Sequence, residues 1–202
     1  MSSTFDKNLL PEFDSVKDDD EQILWSGKPK FVPYIFSGLG IGLYLIGFSA
    51  LWIATSFSEG GYFWMFGILP LGQGLFTFGK KLFSFSNTAY AYSNKRVMMR
   101  TGFIGTDFKI IDYDKISDIE VTVNIIERGY NVGSIKFFSG RTDSDDNGIR
   151  KLYDRWEAIP NPYEVFKKVK EVMVDIKTDY NYPNALRPES NPGYKTKYDR
   201  KD

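Results

Sequence analysis

Two long apolar blocks dominate the hydrophobic pattern of the chain, one at positions 31–57 and the other at positions 62–78. Glu59, in the short segment between them, is the only charged residue from position 31 to position 79. Two successive helices without a polar face are typical of membrane spans, because a soluble domain would need other amphipathic elements to cover them. The pattern therefore predicts a transmembrane helical hairpin, and a pair of buried core helices in a soluble protein is the alternative.

The residues that flank the two blocks predict how the hairpin is oriented. Lys28 and Lys30 precede the first block, and Lys80 and Lys81 follow the second. Because positive charge is retained on the cytoplasmic side, we expect an integral, multi-pass membrane protein with both termini in the cytoplasm. Trp25 lies just before the first block, where an indole ring is favoured at the headgroup level, so we expect it to be an interfacial anchor.

The interior of the hairpin offers packing surfaces and little polarity. Gly42 on the first helix and Gly67, Gly72 and Gly74 on the second would let the two backbones approach closely. Gln73 is the one strongly polar side chain of the second block. With so little polarity, the hairpin is expected to be an anchor and not a transport pathway.

Polar segments lie at both ends of the chain. Positions 1–21 contain a charge run and little apolar surface, so we expect a disordered cytoplasmic leader. Positions 178–202 contain prolines and scattered tyrosines without any regular period, which indicates a disordered polar tail. Positions 22–81 then form an interfacial segment and the hairpin.

From position 87 to position 160 the pattern changes to short alternating segments separated by turn residues. About six or seven antiparallel strands are expected, which is enough for a small barrel or sandwich. Asn161, Pro162 and Glu164 then form a strong helix start, and apolar residues follow on a single stripe. The sequence therefore predicts a mainly-β domain over positions 87–177 that is capped by a C-terminal amphipathic helix.

Composition narrows the range of chemistry. The 202 residues carry 26 basic and 26 acidic side chains, so bulk charge gives no indication of a nucleic-acid partner. Cysteine and histidine are both absent, which removes thiol nucleophiles, histidine acid–base chemistry and most zinc, copper and haem sites. We expect no enzymatic activity and no cofactor.

Several local motifs occur in the order known from one protein family. An acid, Leu24-Trp25 and Pro29 precede the first apolar block, and 90–97, 116–121, 133–135 and 161–165 follow the hairpin as short strand, turn and helix-start motifs. This order resembles the bacterial pleckstrin-homology-like membrane proteins, the bacterial PH domain type 2 family. The resemblance implies a PH-like barrel of about seven antiparallel strands, and a non-enzymatic domain that binds lipid, peptide or protein.

Basic residues close to the apolar blocks are the candidate lipid contacts. They are Lys28, Lys30, Lys80, Lys81, Lys95, Arg96 and Arg100, and Trp25 is the aromatic residue expected beside them at the interface. Cations near an anionic leaflet are attracted to it, so we expect these residues to orient the domain on the lipid surface. Ordinary positive-inside topology is the alternative explanation.

One acidic segment has the spacing of a calcium-binding loop. Asp143, Asp145, Asn147 and Asp154 match ligand positions of an EF-hand loop, with aspartate in the last place. The flanking residues read as strands where an EF-hand needs helices, and Asn147-Gly148 favours a hairpin turn. An acidic hairpin loop is therefore the main prediction, and calcium binding is the weaker alternative.

Two functions from different classes follow from these observations. The first is a membrane-anchored interaction module that presents a cytoplasmic barrel to a protein or to lipid headgroups. The second is a structural or accessory subunit of a larger membrane complex. In both, the partners are the lipid bilayer and a protein partner or a second copy of the chain.

Overall fold

The computed structural model describes residues 9–37, 39–57, 61–145 and 148–181. Seven strands form two antiparallel sheets. The first sheet has the order β1-β2-β3-β4 and contains β1 (Ile23–Gly27), β2 (Ala89–Ser93), β3 (Arg96–Thr101) and β4 (Asp107–Asp112). The second has the order β5-β6-β7 and contains β5 (Asp118–Thr122), β6 (Val132–Asp145) and β7 (Gly148–Pro160). The prediction of a mainly-β domain is confirmed.

Five α-helices accompany the strands in the described residues. They are α1 (Phe31–Phe36), α2 (Gly40–Phe57), α3 (Ile68–Asn87), α4 (Ile125–Gly129) and α5 (Pro162–Asn181). The predicted C-terminal helix is α5, which extends a little beyond the expected end at position 177. Val165, Val169, Val172 and Met173 on its apolar stripe are buried against the core between the sheets. The apolar stripe of α5 thus covers one side of the core.

The core lies between the two sheets and is built around one indole. Trp156 on β7 is fully buried, and its ring lies 5.7 Å from that of Tyr90, 5.0 Å from Phe137 and 5.5 Å from Trp25. Such aromatic pairs add specific ring–ring attraction to the burial of large apolar surfaces. The strands that carry these rings are thereby held in one domain.

The domain begins earlier than predicted, because β1 precedes the apolar blocks. Trp25 is the central residue of β1, is buried, and pairs in register with Tyr92 of β2. The structure therefore places Trp25 in the core, which differs from the expected position at the membrane interface. The predicted domain start at position 87 likewise omits a strand that completes the first sheet.

The leader also differs from the prediction over the part that the structure describes. Phe13, in a short 3-10 helix at Pro11–Phe13, is fully buried against Ala89, Ala91 and Met98 on the outer face of the first sheet. The small alanine side chains leave room for the ring. Residues 9–21 are therefore packed on the sheet, while the rest of the predicted leader, 1–8, and most of the predicted tail, 182–202, lie outside the described residues.

The first apolar block is divided into two helices. α1 packs on the domain, since Tyr34 and Ile35 are buried with Val132 and Ala158, and the Lys30 N–H donates to the Ala158 carbonyl at 2.9 Å. Only α2 extends away, so the first long helix begins at position 40 and not at 31. The second block contains a 3-10 turn at Tyr62–Gly67 followed by α3, which continues past position 78 and leads directly into β2.

α2 and α3 pack against each other through glycine. A Cβ atom on Gly74 would lie 2.7 Å from Cγ1 of Ile46 and 2.9 Å from the Gly42 carbonyl oxygen. Gly42 and Ser49 are the buried residues of α2, and most of its large apolar side chains are exposed. Of the helices that the structure describes, α2 alone is long and apolar enough to cross a membrane. Length and composition thus mark one helix of the predicted hairpin and do not mark α3.

Candidate functional site

Four of the predicted basic residues lie in two pairs at opposite ends of the first sheet. Lys80 and Lys81 lie on α3, just before the chain enters β2. Lys95 lies in the turn after β2, and Arg96 starts β3. Because a strand rises about 3.3 Å per residue, the two ends of β2 are about 13 Å apart. Short sequence distance from the apolar block therefore does not bring Lys95 and Arg96 to the end of α3.

At the α3 end, Lys81 is fixed by two contacts. Its Nζ donates to Oε2 of Glu157 at 2.5 Å and lies 4.0 Å from the centre of the Tyr34 ring. The Tyr34 hydroxyl shares a hydrogen bond of 3.0 Å with Oγ1 of Thr88. Burial is the main cause that raises the pKa of Tyr34, and the nearby Glu157 carboxylate adds to it. Tyr34 is therefore a neutral hydrogen-bonding group at physiological pH.

A cavity of about 260 Å³ opens beside this contact, between α1 and α3. Hydroxyl groups, two amines and one aliphatic side chain line it: Tyr34, Leu39, Thr77, Lys80, Lys81 and Ser84. Lys80 is exposed at its rim. Amines and hydroxyls are the donors that bind phosphate oxygens. Lys81 and Thr77 already donate to Glu157 and to the Gln73 carbonyl, so Lys80 and Ser84 are the donors that this cavity offers to an anion.

The other basic residues are paired with acids of the leader. Glu12 accepts from Lys28 at 2.9 Å and from Arg100 at 3.0 Å, so one carboxylate is shared by two of the predicted lipid contacts. Nζ of Lys95 lies 2.5 Å from Oδ1 of Asp20. Charge that is already compensated within the chain is a poor attractor for an anionic membrane.

Glu21 makes the most buried of these pairs. Its carboxylate accepts from Nη2 of Arg96 at 2.6 Å, from the Ser93 hydroxyl at 2.5 Å and from the Asp18 N–H at 3.0 Å. Burial alone would raise the pKa of Glu21, but the hydrogen bonds from Arg96, Ser93 and Asp18 together hold it below its ordinary value. The pair therefore ties the leader to the β2–β3 turn.

Sequence reasoning missed these acidic partners, although a signal was present. An acidic run from Asp18 to Glu21 precedes a domain with a basic turn at Lys95 and Arg96, and such opposite charges are complementary. Lys30 is likewise engaged, because its Nζ donates to the Tyr130 carbonyl at 2.9 Å. Of the predicted lipid contacts, Lys28 and Arg100 meet at Glu12, whereas Lys80 and Lys81 line one cavity.

The predicted calcium ligands are separated along a β-hairpin. Asp143 lies opposite Arg150 in the ladder between β6 and β7, and Asp145 lies opposite Gly148. Asp154 accepts two hydrogen bonds from Nη2 of Arg141, at 2.8 and 2.7 Å, and another from Nζ of Lys109. The ladder separates these carboxylates, and Asp154 is already paired with two cations, so the geometry favours the acidic hairpin over a calcium loop. Asn147 lies outside the described residues, and the described part of the chain contains no cluster of three metal-binding side chains.

One protein-family model matches most of the domain. The model of the family described as "Bacterial PH domain" matches residues 34–159, which is more than half of the chain. The chain belongs to the bacterial PH domain family. PH-like domains are generally non-enzymatic modules that mediate protein or lipid binding.

The match places the bacterial PH domain on the part of the structure between α1 and the end of β7. It begins downstream of β1 and ends before α5, although both elements pack on its core. A crystal structure of a DUF1696 family protein with a pleckstrin-homology domain from Shewanella loihica PV-4 is 15% identical, covering 43% of this chain and 71% of that chain. Its TM-score of 0.30 is too low to support an argument about the fold. No curated protein matches the chain.

Proposed function

We propose that the protein is a membrane-anchored, non-enzymatic binding module. In this proposal α2 and α3 cross the bilayer as a hairpin and hold the bacterial PH domain at the cytoplasmic face. The observation that carries it is the outer surface of α2: the helix has a mean hydropathy of 1.6, yet only 11% of it is buried in the protein. A core helix of a soluble protein would have its apolar side chains covered, so lipid is the solvent that suits this surface.

The second helix supports the same arrangement. α3 is antiparallel to α2 and in close contact with it at Gly42 and Gly74, and its apolar part precedes Lys80 and Lys81. These lysines interrupt the apolar run, which is why composition does not mark α3 as a span. Lysine at the end of a span favours the headgroup level on the cytoplasmic side.

Within this function, the cavity beside Lys80 is the proposed lipid-headgroup site. Lys80 would contact the phosphate, and the Ser84 hydroxyl offers a further donor, whereas Lys81 is already paired with Glu157. The location supports this assignment, because the cavity lies where α3 passes from apolar to charged residues. Lys95, Arg96 and Arg100 are not proposed as primary lipid contacts, since each is paired with an acid of the leader.

A topology experiment tests the anchor, and the absence of cysteine makes it direct. Cysteine would be introduced singly at Tyr62, an exposed residue between the two long helices, and at Ile149, an exposed residue near the outer end of the β6–β7 hairpin. In intact bacterial spheroplasts, a membrane-impermeant maleimide is expected to label Y62C directly and I149C only after lysis. Labelling of both, or of I149C alone, would overturn the proposed topology.

The headgroup site is tested by lipid retention. Protein purified in mild detergent from anionic vesicles is expected to retain phosphatidylglycerol in native mass spectrometry, and Lys80→Gln is expected to lose most of it. Lys167→Gln is the matched control, because Lys167 is an exposed lysine on α5, away from the cavity. Equal retention by both variants would exclude a specific site at Lys80 without affecting the anchor.

A subunit of a larger membrane complex is the second candidate, and one feature favours it. β6 and β7 continue past the end of β5, and the outer part of this arm is exposed on both strands from Gly140 to Leu152, apart from the undescribed side chains at 145–147. Unpaired strand edges of this kind are suited to pairing with another chain. Mass measurement of the natively purified protein tests this: a stoichiometric foreign partner supports the subunit function, whereas a lone or self-associated chain supports the module.

A further inference from the structure

The short loop between β3 and β4 lies against the long helix α3. Phe103 in this loop makes edge contacts with two rings of α3, at 6.2 Å from Phe76 and 5.9 Å from Phe83. The side-chain amide of Asn87, the last residue of α3, donates to the carbonyls of Gly102 and Gly105, both at 3.4 Å. Ring contacts and hydrogen bonds thus attach both sides of the loop to one helix.

The loop is held in one tight conformation. Gly102 has a φ of +153°, and a Cβ atom there would lie 2.1 Å from the Gly105 carbonyl oxygen. Only glycine fits such an approach of backbone to backbone. The turn leaves Ile104, two residues after Gly102, at its tip, where the residue is 90% exposed. A large aliphatic side chain at a constrained tip has no partner among the residues that the structure describes.

The contacts of Phe103 also fix the height of the loop along α3. Phe76 and Phe83 are two turns apart, which corresponds to about 10 Å of helix at 1.5 Å per residue. Lys80 lies between them in sequence, so Phe103 is level with the lysine that ends the apolar part of α3. If α3 spans the bilayer as proposed, this is the level of the headgroups, where aromatic rings are favoured.

From this placement we propose that the β3–β4 loop is a second membrane contact. Phe103 and Ile104 enter the boundary between headgroups and acyl chains of the leaflet that the hairpin crosses. The partner is the lipid surface itself, because the contact consists of apolar side chains and would not select a headgroup. This inference rests on the proposed membrane anchor.

A second membrane contact would limit how the domain can tilt relative to the bilayer. With the hairpin alone, the domain could tilt about the junction with α3. A loop inserted beside α3 restricts that tilt and keeps the outer end of the β6–β7 arm away from the bilayer, because the inner end of the arm, at Val132 and Ala158, packs beside α1 and α3. The apolar loop would thereby present the exposed arm to partners in the cytoplasm.

Fluorescence quenching by lipids tests this inference, again using the cysteine-free chain. Full-length I104C would carry an environment-sensitive fluorophore and be reconstituted in phosphatidylethanolamine and phosphatidylglycerol vesicles that contain nitroxide-labelled lipid. I149C is the matched control, because Ile149 is an isoleucine with 79% exposure at the far end of the domain. L51C, on the exposed surface of α2, reports on the anchor itself.

The expected result is loss of fluorescence at position 104 with nitroxide near the headgroup, loss at position 51 with nitroxide deep in the acyl chains, and no loss at position 149. Quenching at 51 without quenching at 104 would overturn the loop contact and leave the anchor intact. Absence of quenching at 51 would overturn the anchor, and the loop contact with it. Equal quenching at 104 and 149 would also overturn the inference, because it would indicate that the lipid contacts the domain surface non-specifically and not through the β3–β4 loop.

Discussion

The indole ring of Trp25 stacks on that of Trp156, with ring centroids 5.5 Å apart and planes 26° apart. Trp25 lies on β1, before the long helices, whereas Trp156 lies on β7, close to the end of the domain. The pair therefore joins the two ends of the domain, and the helices α2 and α3 are an insertion between its first two strands. Both ends of the insertion are fixed, through α1 on β7 and through α3 continuing into β2.

Replacing Trp25 with alanine is expected to destabilise the domain strongly. The substitution removes buried ring contacts to Tyr92 and Trp156 and leaves a cavity, and such changes cost about 3–5 kcal/mol. Denaturant unfolding of the detergent-solubilised protein measures the loss. Tyr163→Ala is the control, because Tyr163 is an exposed aromatic residue on α5. An interfacial role for Trp25 would instead give a small change in unfolding and weaker membrane association.

Residues 87–177 alone are expected not to fold cooperatively. That fragment lacks β1 and leaves the edge of β2 and the face of Trp156 uncovered. A chain in which a short Gly-Ser linker joins Leu39 to Phe78 keeps β1, and these two residues already pack in one cluster. It is expected to be soluble and to show cooperative thermal unfolding by near-ultraviolet circular dichroism. Cooperative unfolding of 87–177 would contradict the role given to β1.

Much of the fold could be predicted because its signals are local. Alternation along β5 and the apolar stripe of α5 are visible within a few residues, and the strand count and the C-terminal helix follow from them. β1 could not be assigned in this way. Ile23, Leu24 and Trp25 precede an apolar block, so they read as an interfacial segment, and their partner strand begins only after the hairpin. Long-range pairing overrides the local pattern there.

The break between α1 and α2 and the burial of Phe13 were also not predicted, because neither has a local signal in the sequence. Positions 31–57 are apolar throughout, so no change of period marks where α1 ends on the domain and α2 begins. The burial of Phe13 depends on the small size of Ala89 and Ala91, which are distant in sequence. In the candidate lipid site, the short sequence distance between Lys95 and the apolar block predicted a position near the lipid. The length of β2 separates Lys95 from the end of α3. The lysines of α3 itself were predicted as a pair, and they share one cavity.

Replacing Glu21 with glutamine is expected to lower the free energy of unfolding by about 2–3 kcal/mol at pH 7, because the charged hydrogen bonds to Arg96 are lost. The pKa of Glu21 is held below its ordinary value of 4.5. A lowered folded-state pKa stabilises the protein above the unfolded value, and this stability is lost as the pH falls through the folded-state pKa. The difference between wild type and E21Q should therefore shrink below about pH 4.5.

Denaturant unfolding at pH 7 and at progressively lower pH measures this effect. Asp14→Asn is a matched control, because Asp14 makes an exposed pair with Lys17 at 2.7 Å, and exposed pairs contribute little. It is expected to change stability by less than about 0.5 kcal/mol. A constant difference between wild type and E21Q down to pH 3 would show that the carboxylate charge is not the cause.

Replacing Gly74 with alanine is expected to weaken the contact between α2 and α3. The added Cβ atom would meet the Gly42 carbonyl oxygen at 2.9 Å, and relief requires the helices to separate at a cost of about 1–3 kcal/mol. Gly72→Ala is the control on the same helix, because nothing lies within 4 Å of a Cβ atom at that position. Thermal unfolding in detergent should show a lower midpoint for G74A and an unchanged or higher one for G72A. Equal midpoints would mean that the helices do not pack through this glycine.

Asp154 is expected to stabilise the β6–β7 hairpin through its cationic partners and not through a metal ion. Asp154→Asn removes the charge that Arg141 and Lys109 share, and it should cost about 2–3 kcal/mol because the carboxylate is largely buried. Asp143→Asn, on the exposed part of β6, should change stability little. Calcium or a chelator should leave the melting temperature of the wild-type protein unchanged, since the ladder keeps Asp143 and Asp154 apart. A rise in melting temperature with calcium that Asp143→Asn abolishes would restore the calcium site.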